Sequence, residues 1–358
     1  MKNKIFVIAE AGGNHNSSVF IGKKLIKKAK NCGADAVKFQ SFRTEDLITN
    51  KVKFAAYQKK NIKRRTTPFK MLKNCELSFE NQKILQNYAK KNKIIFLSSA
   101  FDIQSLLFLS KSLKIKTHKI PSGEITNFQL LFEHAKLNHN IILSTGMSSL
   151  KEIREALNIL SFGYLNKRKF PNKKILKKNY IKKAYKILKK KVVIMHCVSN
   201  YPLEYKNSNL NFIKKIKDKF KLNVGYSDHS SSLISPTIAI SLGAVFIEKH
   251  LTLDKKMNGP DHKISLNPDE FQKMVENIRQ TEIMLGNENK KINFDELRLR
   301  KIARKIIVAK KKIIRGEKFS IKNITAKRSS GGICASRFWE LINKKANRNF
   351  LKDQSITI

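Results

Sequence analysis

Across residues 1–250, short apolar runs rich in β-branched side chains recur at 5–9, 36–39, 94–98, 117–120, 141–144, 192–197, 223–227 and 244–249. Each has the length of a strand and is bounded by turn-forming residues. Between the runs, apolar positions three and four residues apart mark amphipathic helices at 20–31, 79–91, 103–113, 149–160 and 210–220, with another at 271–285 after the last run. Alternation of strand and helix implies parallel pairing through right-handed crossovers. Eight such units are the number that closes into a (β/α)8 TIM barrel. An open doubly wound sheet is the competing fold, but no Gly-rich dinucleotide turn follows the first run.

Two segments break this rhythm, and a third ends it. Residues 45–67 form a long, polar, basic connection after the second strand, expected as a loop over the barrel mouth. Residues 166–191 are Lys-rich and are expected to add helix before the sixth strand, as a solvated surface insertion. The barrel is expected to occupy 1–285, followed by a polar linker over 286–300. Residues 301–358, with strand-like runs at 306–309 and 321–326 around the turn Arg315-Gly316-Glu317, are expected to form a compact, mostly non-helical module.

A length of 358 residues suits one barrel plus a small module. The formal net charge of +47 raises a polyanion-binding protein as a rival reading. The excess is spread along the chain beside abundant Ile, Asn and Phe, as codon bias toward A and T would produce. No zinc-finger spacing, aromatic RNA-binding motif or basic arm accompanies it, so no specific nucleic-acid partner is expected. A positive field would still draw in an anionic small substrate. Glu10 ends the first apolar run too early for an export signal, and no stretch approaches the ~20 apolar residues of a membrane span. Four scattered cysteines without a CxxC pair fit a reducing compartment, so a cytoplasmic location is expected.

Barrel enzymes carry their chemistry at the carboxyl ends of the strands. Those ends hold Glu10, Lys38, Gln40, Ser99, Lys119, Ser122, Ser144, His196, Ser199, Ser227, His229, Glu248 and His250. A lone histidine there is ordinarily a hydrogen-bonded structural residue. His229 and His250 differ because they follow adjacent strands, whose ends lie ~5 Å apart, so the two imidazoles can share a divalent metal. Lys38 and Lys119 each interrupt an apolar strand, and a buried ammonium needs a partner, for which an anionic ligand is the expected answer. The serine hydroxyls would add hydrogen bonds to phosphate or carboxylate. Glu10 and Glu248 are the acid–base candidates, with pairing to a lysine as the alternative. A Schiff-base aldolase using Lys119 as nucleophile is a second enzyme-class rival.

The motifs at 8–16 (IAEAGGNHN), 35–40 (DAVKFQ), 119–124 (KIPSGE), 143–147 (LSTGM), 225–229 (GYSDH) and 259–262 (GPDH), with His196-Cys197 through Tyr201-Pro202, resemble those of the sialic acid synthase family. The tail, with Arg315-Gly316-Glu317 and Lys327-Arg328, resembles that family's antifreeze-like (SAF) domain. The resemblance implies condensation of phosphoenolpyruvate with an N-acylated mannosamine, N-acetylmannosamine as the first expectation, to a nine-carbon 2-keto acid and phosphate. A legionaminate synthase using a diacetamido-trideoxy sugar is the close alternative. It also implies manganese or magnesium on His229 and His250, and phosphoenolpyruvate on Lys38, Ser99, Lys119, Ser122, Ser144, Ser199 and Ser227. The sugar would be met by Glu10, Gln40, Tyr201 and Asp261, and by Arg328 from the partner of a domain-swapped homodimer. Glu10, Glu124 and Glu248 would manage water and protons. The chain departs from the family where Ser329-Ser330 stand for Pro-Gly after Arg328, and where Ser17 and Ser99 stand for a glycine and a threonine.

Overall fold

The computed structural model describes residues 4–49, 51–53, 66–167, 169–172, 178–200, 203–287 and 289–358. The chain divides into two compact units, Met1–Gly286 and Asn287–Ile358.

The first unit is a closed barrel of eight parallel strands in sequence order: β1 (Phe6–Gly12), β2 (Ala36–Ser41), β3 (Ile95–Ala100), β4 (Thr117–Ile120), β5 (Asn140–Ser144), β6 (Val192–Cys197), β7 (Asn223–Asp228) and β8 (Ala244–His250). The last strand closes on the first, with Glu10 opposite His250. All eight expected strands are present, most extended by one to three residues at an end. The helix expected at 103–113 divides into an α-helical turn, Ile103–Leu107, and a π-helical turn, Phe108–Ser112. Two helices not anticipated, Phe128–Lys136 and Ser235–Ser241, complete the outer ring.

Strand alternation sorts the side chains into two cores. Outward residues such as Val7, Ala9, Val37 and Phe39 are buried against the helices. Inward, Ile8, Ala36, Leu97, Ile142, Val193 and Met195 fill the lower lumen with apolar side chains, Phe6 and Phe246 packing beneath. That plug leaves Gly225 no room for a side chain: a Cβ there would lie 2.2 Å from Met195 Sδ and 2.8 Å from Phe246 Cβ. Two residues further along most strands, the same inward face changes character. Ile8 is followed by Glu10, Ala36 by Lys38, Leu97 by Ser99, Ile142 by Ser144 and Phe246 by Glu248.

Helix entry is signalled locally. Leu150–Leu165 and Pro268–Leu285 each begin with a reciprocal capping box, Ser149 with Glu152 and Asn267 with Glu270. Helix Ile181–Lys191 occupies the end of the Lys-rich segment and buries Ala184 and Leu188 beside β6. Much of the 45–67 connection, residues 54–65, lies outside the described residues.

In the second unit, β9 (Lys305–Ala309) pairs antiparallel with β10 (Ile324–Arg328) over a core that includes Ile307, Ile313, Phe319, Ile324 and Phe350. Residues 286–300, expected as linker, carry most of a helix, Phe294–Ala303. Its capping box of Asn293 and Glu296 is the signal that the polarity of the segment concealed.

Candidate active site

The change from apolar to polar inward residues opens a cavity of about 420 Å3 at the carboxyl ends of the strands. Lys38, Ser99, Lys119, Ser122, Ser144, Ser199 and Ser227 all line it. So do Glu10, Gln40, Glu248, Asp261, His229 and His250. Strand register brings them together: Ser99 stands opposite Lys119 on adjacent strands, and Ser227 opposite Glu248.

The alternative raised for Glu10 and Glu248 is what the structure shows: each pairs with a lysine across the cavity. Lys119 Nζ lies 2.7 Å from both oxygens of Glu248, Oε1 and Oε2. Lys38 Nζ lies 2.6 Å from Glu10 Oε2 and 3.8 Å from Glu248 Oε2, and donates to Ser99 Oγ at 3.2 Å. Ser227 Oγ donates to Glu248 Oε1 at 2.8 Å, and Gln40 Nε2 to Glu10 Oε1 at 3.3 Å. All four charged groups are buried. Burial without pairing would be prohibitive, so two ammonium and two carboxylate groups balance one another at the floor of the cavity.

The two carboxyls differ. Burial pushes Glu10 up to about 7 against the pull of Lys38. Burial also works to raise Glu248, but Lys119 and Lys38 outweigh it and hold that carboxyl well below its ordinary range. Burial thus favours the neutral form of Glu10 and the two lysines the ionised form of Glu248, the division that acid–base chemistry needs. Burial likewise raises Asp261 to about 6.

One inward step above this quartet, the rings of His229 and His250 sit 5.6 Å apart, centroid to centroid. His229 Nδ1 is 2.8 Å from the carbonyl oxygen of Val198; donation through Nδ1 leaves Nε2 as the unprotonated nitrogen of the neutral ring. Burial lowers the pKa of both imidazoles, the neutral form a metal requires. No group of three or more His, Cys, Asp or Glu side chains suited to a metal occurs among the described residues. The donor set is thus two neutral imidazoles with other positions left to water or substrate, which fits a divalent ion in an open site.

Three expected residues are not among the described residues that line the cavity. Glu124 does not line the cavity; its carboxylate accepts from Asn127 Nδ2 at 2.8 Å, beside the start of helix Phe128–Lys136. Tyr201 lies outside the described residues. Arg328 is exposed at the end of β10 in the second unit. The other strand-end histidines are structural: His196 Nε2 bonds the Ser208 carbonyl at 2.9 Å, His262 Nδ1 the Thr252 hydroxyl at 2.7 Å, and His15 Nδ1 accepts from the Ser17 amide at 3.0 Å.

The cavity also has an apolar side that the sequence did not disclose. Met71, Leu72, Cys75 and Phe101 line it, together with Met147 and Pro260. Helix Pro68–Lys73, which carries the first two, follows a long connection with no periodicity, so nothing in the local pattern marked them.

A closed (β/α)8 barrel with buried lysines, carboxylates and an imidazole pair gathered at the carboxyl ends of its strands has the architecture of a barrel enzyme. The chain belongs to the NeuB family, which matches residues 25–290. The N,N'-diacetyllegionaminic acid synthase of Campylobacter jejuni is 43% identical over 353 residues, covering 99% of each chain. A protein of the same name from Legionella pneumophila is 38% identical, over 96% of this chain and 91% of that one. The N-acetylneuraminate-9-phosphate synthase of Mus musculus is 31% identical, over 91% and 84%. Among solved structures, the N-acetylneuraminic acid synthetase of Leptospira borgpetersenii superposes with a TM-score of 0.66 at 29% identity, covering 83% of this chain and 92% of that one. The protein is accordingly an enzyme of the nonulosonic acid synthase type, as the motif resemblance implied.

Proposed function

We propose that the enzyme condenses phosphoenolpyruvate with 2,4-diacetamido-2,4,6-trideoxymannose, giving the legionaminate-type 2-keto acid and phosphate. This replaces N-acetylmannosamine, the first expectation, as the preferred acceptor. The supporting comparison is the 43% end-to-end identity to a diacetyllegionaminic acid synthase, against 31% to the N-acetylneuraminate-9-phosphate synthase. The observation that carries the chemistry is the pair of buried lysines directly below two neutral imidazoles in one cavity.

In this reading Lys38 and Lys119 bind the phosphate and carboxylate of phosphoenolpyruvate, with Ser99, Ser122, Ser144, Ser199 and Ser227 supplying hydroxyl donors. An incoming anion competes with Glu10 for Lys38, which favours protonated Glu10 and readies its Oε atoms to hand on a proton. His229 and His250 would hold manganese or magnesium, which when bound supplies Lewis-acid polarisation of a carbonyl. Carbon 3 of the enol bonds to the aldehyde carbon, water adds at carbon 2, and collapse of that centre expels phosphate. Ionised Glu248 opposes the positive charge that develops at carbon 2, and Glu10 holds the proton exchanged with the oxygens. Gln40 and Asp261 orient the sugar at the rim. The second unit is the antifreeze-like module of a cytoplasmic, domain-exchanged homodimer, in which Tyr201 and the partner's copy of Arg328 complete sugar binding.

The test is phosphate release from phosphoenolpyruvate with manganese and either sugar, for wild type, an EDTA-treated sample and His250→Ala. Release with the diacetamido sugar, lost in both controls, is the expected result. Faster release with N-acetylmannosamine would return the acceptor to the neuraminate type, and silence with both would overturn the reading. Mixing inactive His250→Ala and Arg328→Ala subunits should restore activity if the modules are exchanged.

A further inference from the structure

The last rungs of β7 and β8 alternate across the barrel wall. Ser227 and Glu248 are register partners facing the cavity, where their side chains hydrogen-bond. The next partners, Asp228 and Lys249, face the opposite way and are wholly buried outside the lumen, their side chains 0% and 1% exposed. One residue later, His229 and His250 return to the cavity.

Lys249 Nζ is 2.6 Å from Asp228 Oδ2, and also donates to the carbonyls of Ser230 at 2.5 Å and Ser232 at 3.2 Å. Asp228 accepts in addition from Ser235 Oγ at 2.5 Å, the Ser230 amide at 2.8 Å and Tyr226 OH at 3.1 Å. Every proton of the ammonium and both carboxylate oxygens are thereby engaged, the condition under which a buried ion pair persists. Two apolar side chains would fill the same space without desolvation cost, so the pair is costly as a means of stability alone. It does what apolar residues cannot: it grips two backbone carbonyls of the loop directly after His229 and ties that loop to the residue preceding His250.

We infer that Asp228 and Lys249 are positioning residues that set the separation and orientation of His229 and His250 for a divalent ion. The inference rests on the reading that these two imidazoles hold such an ion. Outer partners that orient metal-ligating side chains commonly change affinity 10–100-fold when lost.

The experiment titrates Mn2+ alone into the full-length protein and follows the electron paramagnetic resonance signal of the free aquo ion. His250→Ala serves as the control that the binding reports this site. The double variant Asp228→Leu/Lys249→Met replaces the pair by apolar side chains. It is expected to keep its far-ultraviolet circular dichroism while its Mn2+ dissociation constant rises about tenfold or more. Phosphate release should recover in part as Mn2+ is raised. A folded double variant that binds Mn2+ within twofold of wild type would overturn the inference while leaving the metal reading intact. Should the double variant not fold, Ser235→Ala, which deletes only one hydroxyl donor to Asp228, decides by the same criterion. Wild-type protein that binds no Mn2+, or binds it regardless of His250→Ala, would remove the metal reading and this inference together.

Discussion

Ser17 has a φ of +57°, in the left-handed region where glycine is at ease. Its single hydroxyl proton is shared between the carbonyls of Asn74 at 2.7 Å and Glu76 at 2.9 Å, which offsets the backbone strain. Ser17→Ala keeps the strain and loses the bonds, so it should lower the unfolding free energy by ~1–2 kcal/mol in a denaturant titration. Ser17→Gly loses the same bonds but relieves the strain, and should cost less; equal costs would show that the backbone is not strained. At the cavity floor, Lys119→Met leaves Glu248 buried with Lys38 and Ser227 as its partners among the described residues. Breaking such a pair on one side costs ~3 kcal/mol or more. Phosphate release should disappear as well, whereas a stable and active Lys119→Met protein would contradict the role given to this ion pair.

The elements themselves were legible because each carries a period. Runs such as 192–197 read as buried strand and become β6 without a shifted residue. The same alternation exposed Lys38 and Lys119 as charges on an inward face. It could not say what they face, because the partners Glu10 and Glu248 lie 28 and 129 positions away along the chain. Glu124 illustrates the converse: next to a strand end, a carboxylate that enters the site and one that pairs beside a helix start read alike. Met71 and Cys75 had no period to betray them. In the lower barrel the strands are coupled through packing, which Gly225 tests. Gly225→Ala would press on Met195 and Phe246 and should destabilise by ~1–3 kcal/mol. Adding Met195→Ala should recover part of that loss in a double-mutant cycle; strictly additive costs would mean that the plug is looser than its contacts indicate.

For the whole molecule, the charge of +47 is not concentrated at the catalytic floor, where two lysines meet two carboxylates. Acid sensitivity comes instead from buried imidazoles. Burial lowers His15 and His118 from 6.5 to about 4 and holds His134 well below its ordinary value. Unfolded chains bind these protons first, so the stability is fully present above pH 6.5 and is lost as the pH falls toward 4. Each shift to about 4 is linked to ~3 kcal/mol. Unfolding free energy measured across that window should fall steeply, and His134→Leu should flatten part of the slope; a flat profile in wild type would show these histidines to be solvated.

The apolar plug beneath the floor also has a kinetic meaning. A shaft closed at one end admits its ligands in sequence, and the lysines lie deeper than the imidazoles and Asp261. On the proposed function, phosphoenolpyruvate then arrives before the sugar, which finds its full set of contacts only once the deeper ligand is seated. A sugar analogue lacking the aldehyde should therefore inhibit uncompetitively against phosphoenolpyruvate. Noncompetitive inhibition in that experiment would mean that the bottom of the shaft can be reached with its upper part already filled.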